Sequence, residues 1–220
     1  MTAVVLGKTY EAPAFCKREI LRYAGCRDAD SGITALLDSC LAEVRDRLTY
    51  RVCYCHLPVT AEGNTCDFGV FRLQSAQLAS NLKACSRVIV FAATVGMEID
   101  RLIAKYGRLS PSRALMLQAI GAERIEALCD AFCADMAQEL QMGQRPRFSP
   151  GYGDLPLSAQ REIFAVLDCG KRIGLMLNDS LLMSPSKSVT AFVGIGGEMK
   201  QKQNTCSACR MRDCAYRGAL

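Results

Sequence analysis

Hydrophobic positions repeat along the chain with two periods, which together predict alternating helices and strands. Apolar residues three or four positions apart predict helices at residues 12–23, 33–48, 74–85, 97–106 and 163–170, and a long helix from residue 110 onward. Alternating or continuous apolar runs predict strands at 51–59, 67–73, 87–93, 175–177 and 188–195, with a turn at 62–64. The longest apolar run, 88–95, has eight residues, too few to cross a membrane.

The predicted long helix carries the most regular apolar stripe. Ser110 and Pro111 suit its N-cap and its first turn. Glu123 and Glu126 lie off the stripe, so we expect them on the solvent side, where they can pair with Arg124. The stripe itself steps by three or four residues through Leu117, Gly121, Ile125, Leu128, Phe132, Met136 and Leu140.

The composition indicates a globular domain with a basic end. The chain has 220 residues, of which 50% are hydrophobic and 22% charged, enough to enclose a sizeable core. Residues 198–220 contribute +3 of the net charge of +5, and we predict a domain at 1–197 followed by a basic cysteine-rich tail. Such a tail can attract an anionic partner, either an acidic protein or a phosphate-bearing cofactor, and an ordinary solvated chain end is the alternative that stays open. Nucleic acid is not predicted, because no helix-turn-helix or RNP-type pattern accompanies it.

Cysteine usage indicates a reducing compartment. The chain has thirteen cysteines, spread over predicted helices and strands, and its start does not resemble a signal peptide. These features predict a cytoplasmic protein in which most thiols are small buried hydrophobic groups. We expect this of Cys40, Cys85 and Cys169.

His56 is the only histidine and has three cysteines near it in sequence, Cys53, Cys55 and Cys66. A metal site is one interpretation of this group. Every second residue from Val52 through Tyr54 and His56 to Pro58 would share one face of a strand. This pattern favours the other interpretation, in which His56 is part of a strand face.

The segment Arg-Phe-Ser-Pro-Gly-Tyr-Gly-Asp at 147–154 is predicted to form a tight surface turn between two helices. Pro150 restricts φ to about −65°, and Gly151 can take a positive φ. The turn would present Arg147, Tyr152 and Asp154 from one backbone. Because a guanidinium pairs with a carboxylate and an aromatic face attracts a cation, this set suits a zwitterionic, cationic ligand. An ordinary loop is the alternative that these residues alone leave open.

Three segments resemble the reactivation domain of cobalamin-dependent methionine synthase. Residues 147–154 contain Arg-x-x-Pro-Gly-Tyr, which resembles the S-adenosylmethionine-binding signature of that family, and the longer form resembles stand-alone activation proteins of anaerobic bacteria. Residues 183–189 are similar to its Met-x-Pro-x-x-Ser-Val segment, and 92–101 is a weaker match. The resemblance covers residues 90–195 and implies an α+β fold with a twisted antiparallel sheet flanked by helices.

The resemblance also implies a ligand, a site and a partner. Members of this family hold S-adenosylmethionine over cobalamin while an electron arrives, so that methyl transfer traps reduced cobalt. The chain lacks the Asp-x-His-x-x-Gly pattern of a B12-binding module, so it is expected to act in trans on a separate methionine synthase, with flavodoxin or ferredoxin as electron donor. The residues implied to hold the ligand are Arg147 (on its carboxylate), Ser149, Pro150, Gly151, Tyr152 and, on the long helix, Glu126.

The tail carries cysteines at C-x₂-C-x₄-C spacing, namely Cys206, Cys209 and Cys214. Three thiolates so spaced suit zinc or an iron–sulfur cluster, with a fourth ligand from elsewhere. A redox dithiol or no special role is also compatible with the spacing. An iron–sulfur cluster here could pass electrons to a corrinoid.

Two other functions stay open. Gln141 stands where the family has an acidic residue, and a downstream family tyrosine has no counterpart. These departures are consistent with an adaptor that docks a corrinoid protein without binding S-adenosylmethionine. The cysteine tail is consistent with a metal or iron–sulfur redox activator of another corrinoid methyltransferase system.

Overall fold

The structure, a computed structural model, describes residues 3–26 and 29–196. The strands are β1 (Val5–Tyr10), β2 (Tyr50–Pro58), β3 (Thr60–Glu62), β4 (Thr65–Asp67), β5 (Arg72–Gln74), β6 (Arg87–Thr94), β7 (Met176–Leu177), β8 (Met183–Ser184) and β9 (Ser188–Ile195). The helices are α1 (Lys17–Tyr23), α2 (Ser31–Val44), α3 (Ala76–Asn81), α4 (Glu98–Leu109), α5 (Pro111–Leu140), α6 (Gln160–Leu167) and α7 (Cys169–Ile173), with a 3₁₀ turn at Leu157–Ala159.

The main sheet has four antiparallel strands in the order β1-β2-β6-β9. Strand β6 pairs along its whole length with β2 on one side and β9 on the other, so that Thr94 lies opposite both Arg51 and Ser188. Two small antiparallel sheets, β3-β4-β5 and β7-β8, complete the strands described. The predicted α+β class, with an antiparallel sheet flanked by helices, is confirmed.

A hydrophobic core lies on each face of the main sheet. Ile89, Phe91 and Ala93 of β6 contact the core formed with α2, α4 and α5. Val88 and Val90 point the opposite way, into a core shared with α3, α6, α7 and the β3-β4-β5 sheet. Because successive side chains of a strand alternate between faces, a strand covered on both sides has a continuous apolar run. This accounts for the unbroken apolar sequence of β6.

Helix α5 begins where the sequence predicted, with Ser110 at the N-cap position, although the Ser110 side chain makes no capping hydrogen bond. The predicted stripe is buried as far as Met136. The expectation that Glu123 faces solvent is wrong, because Glu123 and Arg124 are both buried. Arg124 donates from Nε and Nη2 to Glu123, over 2.6 Å each, so the predicted pairing exists but inside the protein.

The predicted helix at 12–23 is shorter in the structure, where α1 begins only at Lys17. The residues before it are held by α5 instead. Arg124 donates to the carbonyl oxygens of Pro13 and Ala14, and Glu123 accepts from the backbone N–H of Cys16. Because these backbone groups hydrogen-bond to side chains of α5, they do not take part in helical hydrogen bonds, and α1 begins only at Lys17.

The predicted strand at 67–73 is two strands, β4 and β5, separated by a turn at which Gly69 has φ of +78°. Asp67 stabilises this turn by accepting from the N–H of Gly69 and from Arg72. The turn predicted at 62–64 does connect two strands, β3 and β4. Helix α3, at Ala76–Asn81, covers only the middle of the predicted range 74–85.

Cys40, Cys85 and Cys169 are buried free thiols, as predicted. Among the residues that the structure describes, no helix is both long and apolar enough to span a membrane.

Candidate functional site

Two of the segments singled out in the sequence meet at one end of the main sheet. The backbone N–H of Val95, just after β6, donates to the carbonyl of Lys187, just before β9, over 3.2 Å. Ser188 donates to the Thr94 hydroxyl over 2.8 Å. Asp100, in the first turn of α4, accepts from the N–H of Ser186 at 2.6 Å. Residues 92–101 and 183–189 therefore lie side by side.

The third segment runs beside the outer edge of β9. The N–H of Phe148 donates to the carbonyl of Phe192 and the reverse bond also forms, both over 2.9 Å, while the N–H of Arg145 donates to Gly194. The segment is therefore more than the surface turn that was predicted, because its first part extends the sheet. Phe148 packs into the core that contains Phe192. Since side chains alternate along extended chain, Arg147 points to the opposite face, toward α5.

Arg147 lies against two carboxylates on α5. Its Nη2 donates to Glu126 over 2.7 Å and its Nη1 to Asp130 over 2.9 Å. The guanidinium side chain is 24% exposed, whereas Glu126 and Asp130 are 46% and 51% exposed. The structure thus brings together the predicted Arg147 and Glu126, which are 21 residues apart in sequence.

The surroundings of Arg147 set its protonation. Burial lowers the pKa of Arg147, but the negative charges of the nearby Glu126 and Asp130 carboxylates outweigh it, and the pKa lies above its ordinary value. Burial also raises the pKa of the Cys129 thiol, which keeps that thiol neutral. The pKa of Tyr23 is raised first by burial and then by the nearby Glu126 carboxylate. The Arg22 guanidinium lies 4.3 Å from the centre of the Tyr23 ring.

The turn that follows Arg147 is closed by backbone hydrogen bonds. The N–H of Tyr152 donates to the carbonyl of Ser149 over 3.1 Å, and the N–H of Gly151 donates to Leu155. Gly151 has φ of +89°, a conformation that a side chain at this position would strain. Pro150 is buried, whereas Tyr152 is 61% exposed and presents its ring to solvent.

Asp154 does not join Arg147 and Tyr152, so the expectation that the turn presents this carboxylate to a ligand is wrong. Its oxygens accept from the Ser75 hydroxyl and from the backbone N–H groups of Ala76 and Gln77, at the start of α3. These bonds lower the pKa of Asp154, with the Ser75 hydroxyl as the largest cause. The carboxylate ties the turn to α3 on the opposite face of the sheet.

Asp130 is a site residue that the sequence interpretation missed. A signal was present, because Asp130 follows Glu126 by four positions and therefore lies on the same face of α5 one turn later.

Lys187, to which the sequence gave no role, extends its side chain across Gly121 of α5. Burial lowers the pKa of Lys187 despite the nearby Asp100 carboxylate.

Of the two metal sites considered from the sequence, the described residues include the one around His56 and not the one in the tail. Within residues 3–26 and 29–196, no group of three His, Cys, Asp or Glu side chains is arranged to hold a metal, and His56 lies on a β2 face beside the Tyr54 ring. Cys206, Cys209 and Cys214 lie outside the described residues.

The site offers recognition groups rather than a nucleophile. A guanidinium can pair with a carboxylate, two carboxylates can receive an ammonium or stabilise a sulfonium, and an exposed aromatic ring can stack on a planar group. These donors and acceptors fit an amino acid that carries an additional positive charge and a flat substituent.

The fold has a counterpart among solved structures. A crystal structure described as the MetH reactivation domain bound to AdoHcy aligns with a TM-score of 0.66, covering 91% of this chain and 81% of that chain at 16% sequence identity. The chain has the fold of this reactivation domain. No protein-family model matches the sequence, and no curated protein matches it.

Proposed function

We propose that this protein binds S-adenosylmethionine between α5 and the turn at 147–154, and reactivates a separate cobalamin-dependent methionine synthase. The observation that carries the proposal is the contact of Arg147 with Glu126 across 21 residues of sequence. The sequence resemblance had independently pointed to Arg147 and Glu126 as ligand-binding residues. The likeness in fold to a reactivation domain bound to AdoHcy supports the same ligand class.

Each side chain has a role in this proposal. Arg147 pairs with the methionine carboxylate, using donors beyond the two that it gives to Glu126 and Asp130. Glu126 accepts from the ammonium group, and Tyr152 covers the adenine or the sulfonium. The turn at Ser149, Pro150 and Gly151 is held by its own hydrogen bonds, so its backbone is oriented before the ligand arrives.

The protein's contribution to the reaction is orientation. S-adenosylmethionine supplies an electrophilic methyl group, which passes to the partner's cobalamin once an electron from flavodoxin or ferredoxin has reduced the cobalt, and the sulfonium becomes a thioether. Arg147 and Glu126 fix the amino-acid end of the ligand, so that the sulfonium end can face the partner.

Calorimetric titration tests ligand binding. The unchanged protein should release heat with S-adenosylmethionine, and Arg147→Ala should weaken binding at least tenfold, because a charge-assisted pair to the carboxylate is lost. Arg145→Ala is the matched control, since Arg145 lies in the same segment but donates to the carbonyl of Lys83. Absence of binding to the unchanged protein would favour an adaptor that docks a corrinoid protein without this ligand.

A reactivation assay tests the partner. Oxidised cobalamin-dependent methionine synthase that lacks its own reactivation domain is mixed with this protein, S-adenosylmethionine and reduced flavodoxin or ferredoxin. Recovery of methionine synthesis should need every component and should fail with Arg147→Ala. Equal recovery without this protein contradicts the proposal.

A further inference from the structure

Lys187 is a half-buried lysine that packs on α5 and has no ion pair among the described residues. Its stem lies against Gly121, where an added Cβ would come within 2.8 Å of the lysine Cγ. Asp100 acts on the amine through space, but its oxygens accept from the backbone N–H and the hydroxyl of Ser186. Because burial removes water from the amine and no carboxylate of the described part replaces it, the amine can donate to a ligand.

Lys187 shares one face of the main sheet with Arg147. Lys187 immediately precedes β9, and its contact with α5 places it on the face to which Val193 also belongs. Beside β9, Phe148 pairs with Phe192, so Arg147 lies next to Val193 and points toward α5 as well. The two cations therefore lie toward opposite ends of β9, on the same side of the sheet.

Helix α5 runs past both cations. Gly121 contacts Lys187, and Glu126, which accepts from Arg147, follows five residues later, a rise of about 7.5 Å. Between these two points α5 carries the half-buried Ala122, one turn before Glu126. An elongated ligand that is held at Arg147 and follows α5 in this direction reaches the lysine amine with its far end.

We propose that Lys187 is a further ligand-binding residue, which donates a hydrogen bond to the adenosine end of S-adenosylmethionine while Arg147 holds the carboxylate end. The inference rests on the proposed function and adds the direction in which the ligand lies. The ring nitrogens of adenine are acceptors, and a lysine amine is a donor. The sulfonium lies between the two ends of the ligand, so it does not have to approach the lysine.

The test uses the two halves of the ligand. S-methylmethionine keeps the carboxylate, the ammonium and a sulfonium, whereas 5′-methylthioadenosine keeps only the nucleoside and the sulfur. Each competes with S-adenosylmethionine in calorimetric titrations of the unchanged protein and of Lys187→Met, which keeps an unbranched stem over Gly121. We expect S-adenosylmethionine and 5′-methylthioadenosine to bind about tenfold more weakly to Lys187→Met, the size of one hydrogen bond with a charged donor, and S-methylmethionine to bind equally well.

Two variants serve as comparisons. Arg147→Ala should give the opposite pattern, with a greater loss for S-methylmethionine than for 5′-methylthioadenosine. Lys171→Met removes an exposed lysine from α7, which packs on the other face of the main sheet, and should match the unchanged protein with all three ligands. The melting temperature of Lys187→Met should not fall, because the amine that it removes has no ion pair within the described residues. Lys187→Gln, a second variant of shorter reach, should show the same selective loss.

The outcomes separate this inference from the proposed function. If the unchanged protein binds none of the three ligands, the proposed function fails and the inference fails with it. If S-adenosylmethionine binds the unchanged protein and Lys187→Met equally well, the proposed function stands and the role of Lys187 is refuted. Equal weakening of both half-ligands by Lys187→Met also refutes it, because a contact at the adenosine end cannot affect S-methylmethionine.

Discussion

Two arginines show how strongly the setting of a side chain decides its role. Arg147 lies in a partly open site, where its ion pairs are within reach of a ligand. Arg124 is fully buried and donates to Glu123 and to two backbone carbonyls in the segment before α1. Its guanidinium also lies 4.1 Å from the centre of the Phe15 ring. Arg124 is therefore part of the structural link between α5 and the N-terminal segment.

Replacing Arg124 should destabilise the protein strongly. Arg124→Met leaves the Glu123 carboxylate and two carbonyls buried without their donor, and the expected loss is about 3–5 kcal/mol of unfolding free energy. Urea denaturation measures it. Arg101→Met removes an exposed arginine that pairs with Glu98 on α4 and should cost less than about 1 kcal/mol. Equal losses in the two variants would contradict a structural role for the buried pair.

At the level of single residues, the sequence was informative about Arg147 and Glu126 but not about Asp154. The first two were indicated by a resemblance whose motifs include their chemistry, and the fold places them in contact. Asp154 lies in the same short segment as Arg147 and Tyr152, which is where a ligand-binding carboxylate would be expected. Its true partners, Ser75 and the start of α3, are almost 80 residues away, and such a nonlocal choice leaves no local pattern.

At the level of elements, periodicity worked where an element is covered by protein along its whole length. The apolar run of β6 and the stripe of α5 belong to this class. Both ends of β6 and the first residue of α5 lie within a residue or two of their predicted positions. Prediction was wrong where side chains from elsewhere take over backbone hydrogen bonds, as Arg124 does before α1. It was also wrong where a carboxylate closes a turn inside an apparent strand, as Asp67 does.

The connection between α3 and the turn at 147–154 predicts a pH-dependent loss of stability. Because its hydrogen bonds hold the pKa of Asp154 below the ordinary 3.8, the carboxylate contributes stability above that value and loses its contribution as pH falls through the folded-state pKa. Asp154→Asn should therefore lower the melting temperature by a few degrees at pH 7, and this difference should shrink below about pH 4.

Thermal unfolding followed at several pH values measures the effect of Asp154→Asn. Asp46→Asn, at an exposed position beyond α2, is the control and should match the unchanged protein at every pH. Since Asp154 holds the turn that carries Tyr152, the variant should also bind S-adenosylmethionine more weakly at pH 7. A difference in melting temperature that stays constant down to pH 2 would show that the carboxylate charge is not responsible.

At the level of the whole molecule, the main sheet separates two cores, and the candidate site lies at the edge of β9, where α5 and the turn at 147–154 approach each other. Among the residues that the structure describes, 3–26 and 29–196, the core side chains already cover both faces of the main sheet. The proposed ligand contacts also belong to this part of the chain. We therefore propose that residues 1–197 fold and bind S-adenosylmethionine without the basic cysteine-rich tail.

Removing residues 198–220 should separate ligand binding from any metal chemistry. The shortened chain should keep its melting temperature and its affinity for S-adenosylmethionine, because residues before 197 supply a core on each face of the main sheet and the carboxylates that Arg147 contacts. Iron, acid-labile sulfide and zinc are measured in anaerobically purified protein, full-length and shortened. Metal bound only by the full-length chain, and lost in the triple variant Cys206→Ser, Cys209→Ser, Cys214→Ser, supports a site at these thiols. If the triple variant also loses reactivation while it still binds S-adenosylmethionine, the tail serves electron delivery. Metal-free full-length protein that reactivates its partner fully would exclude that role.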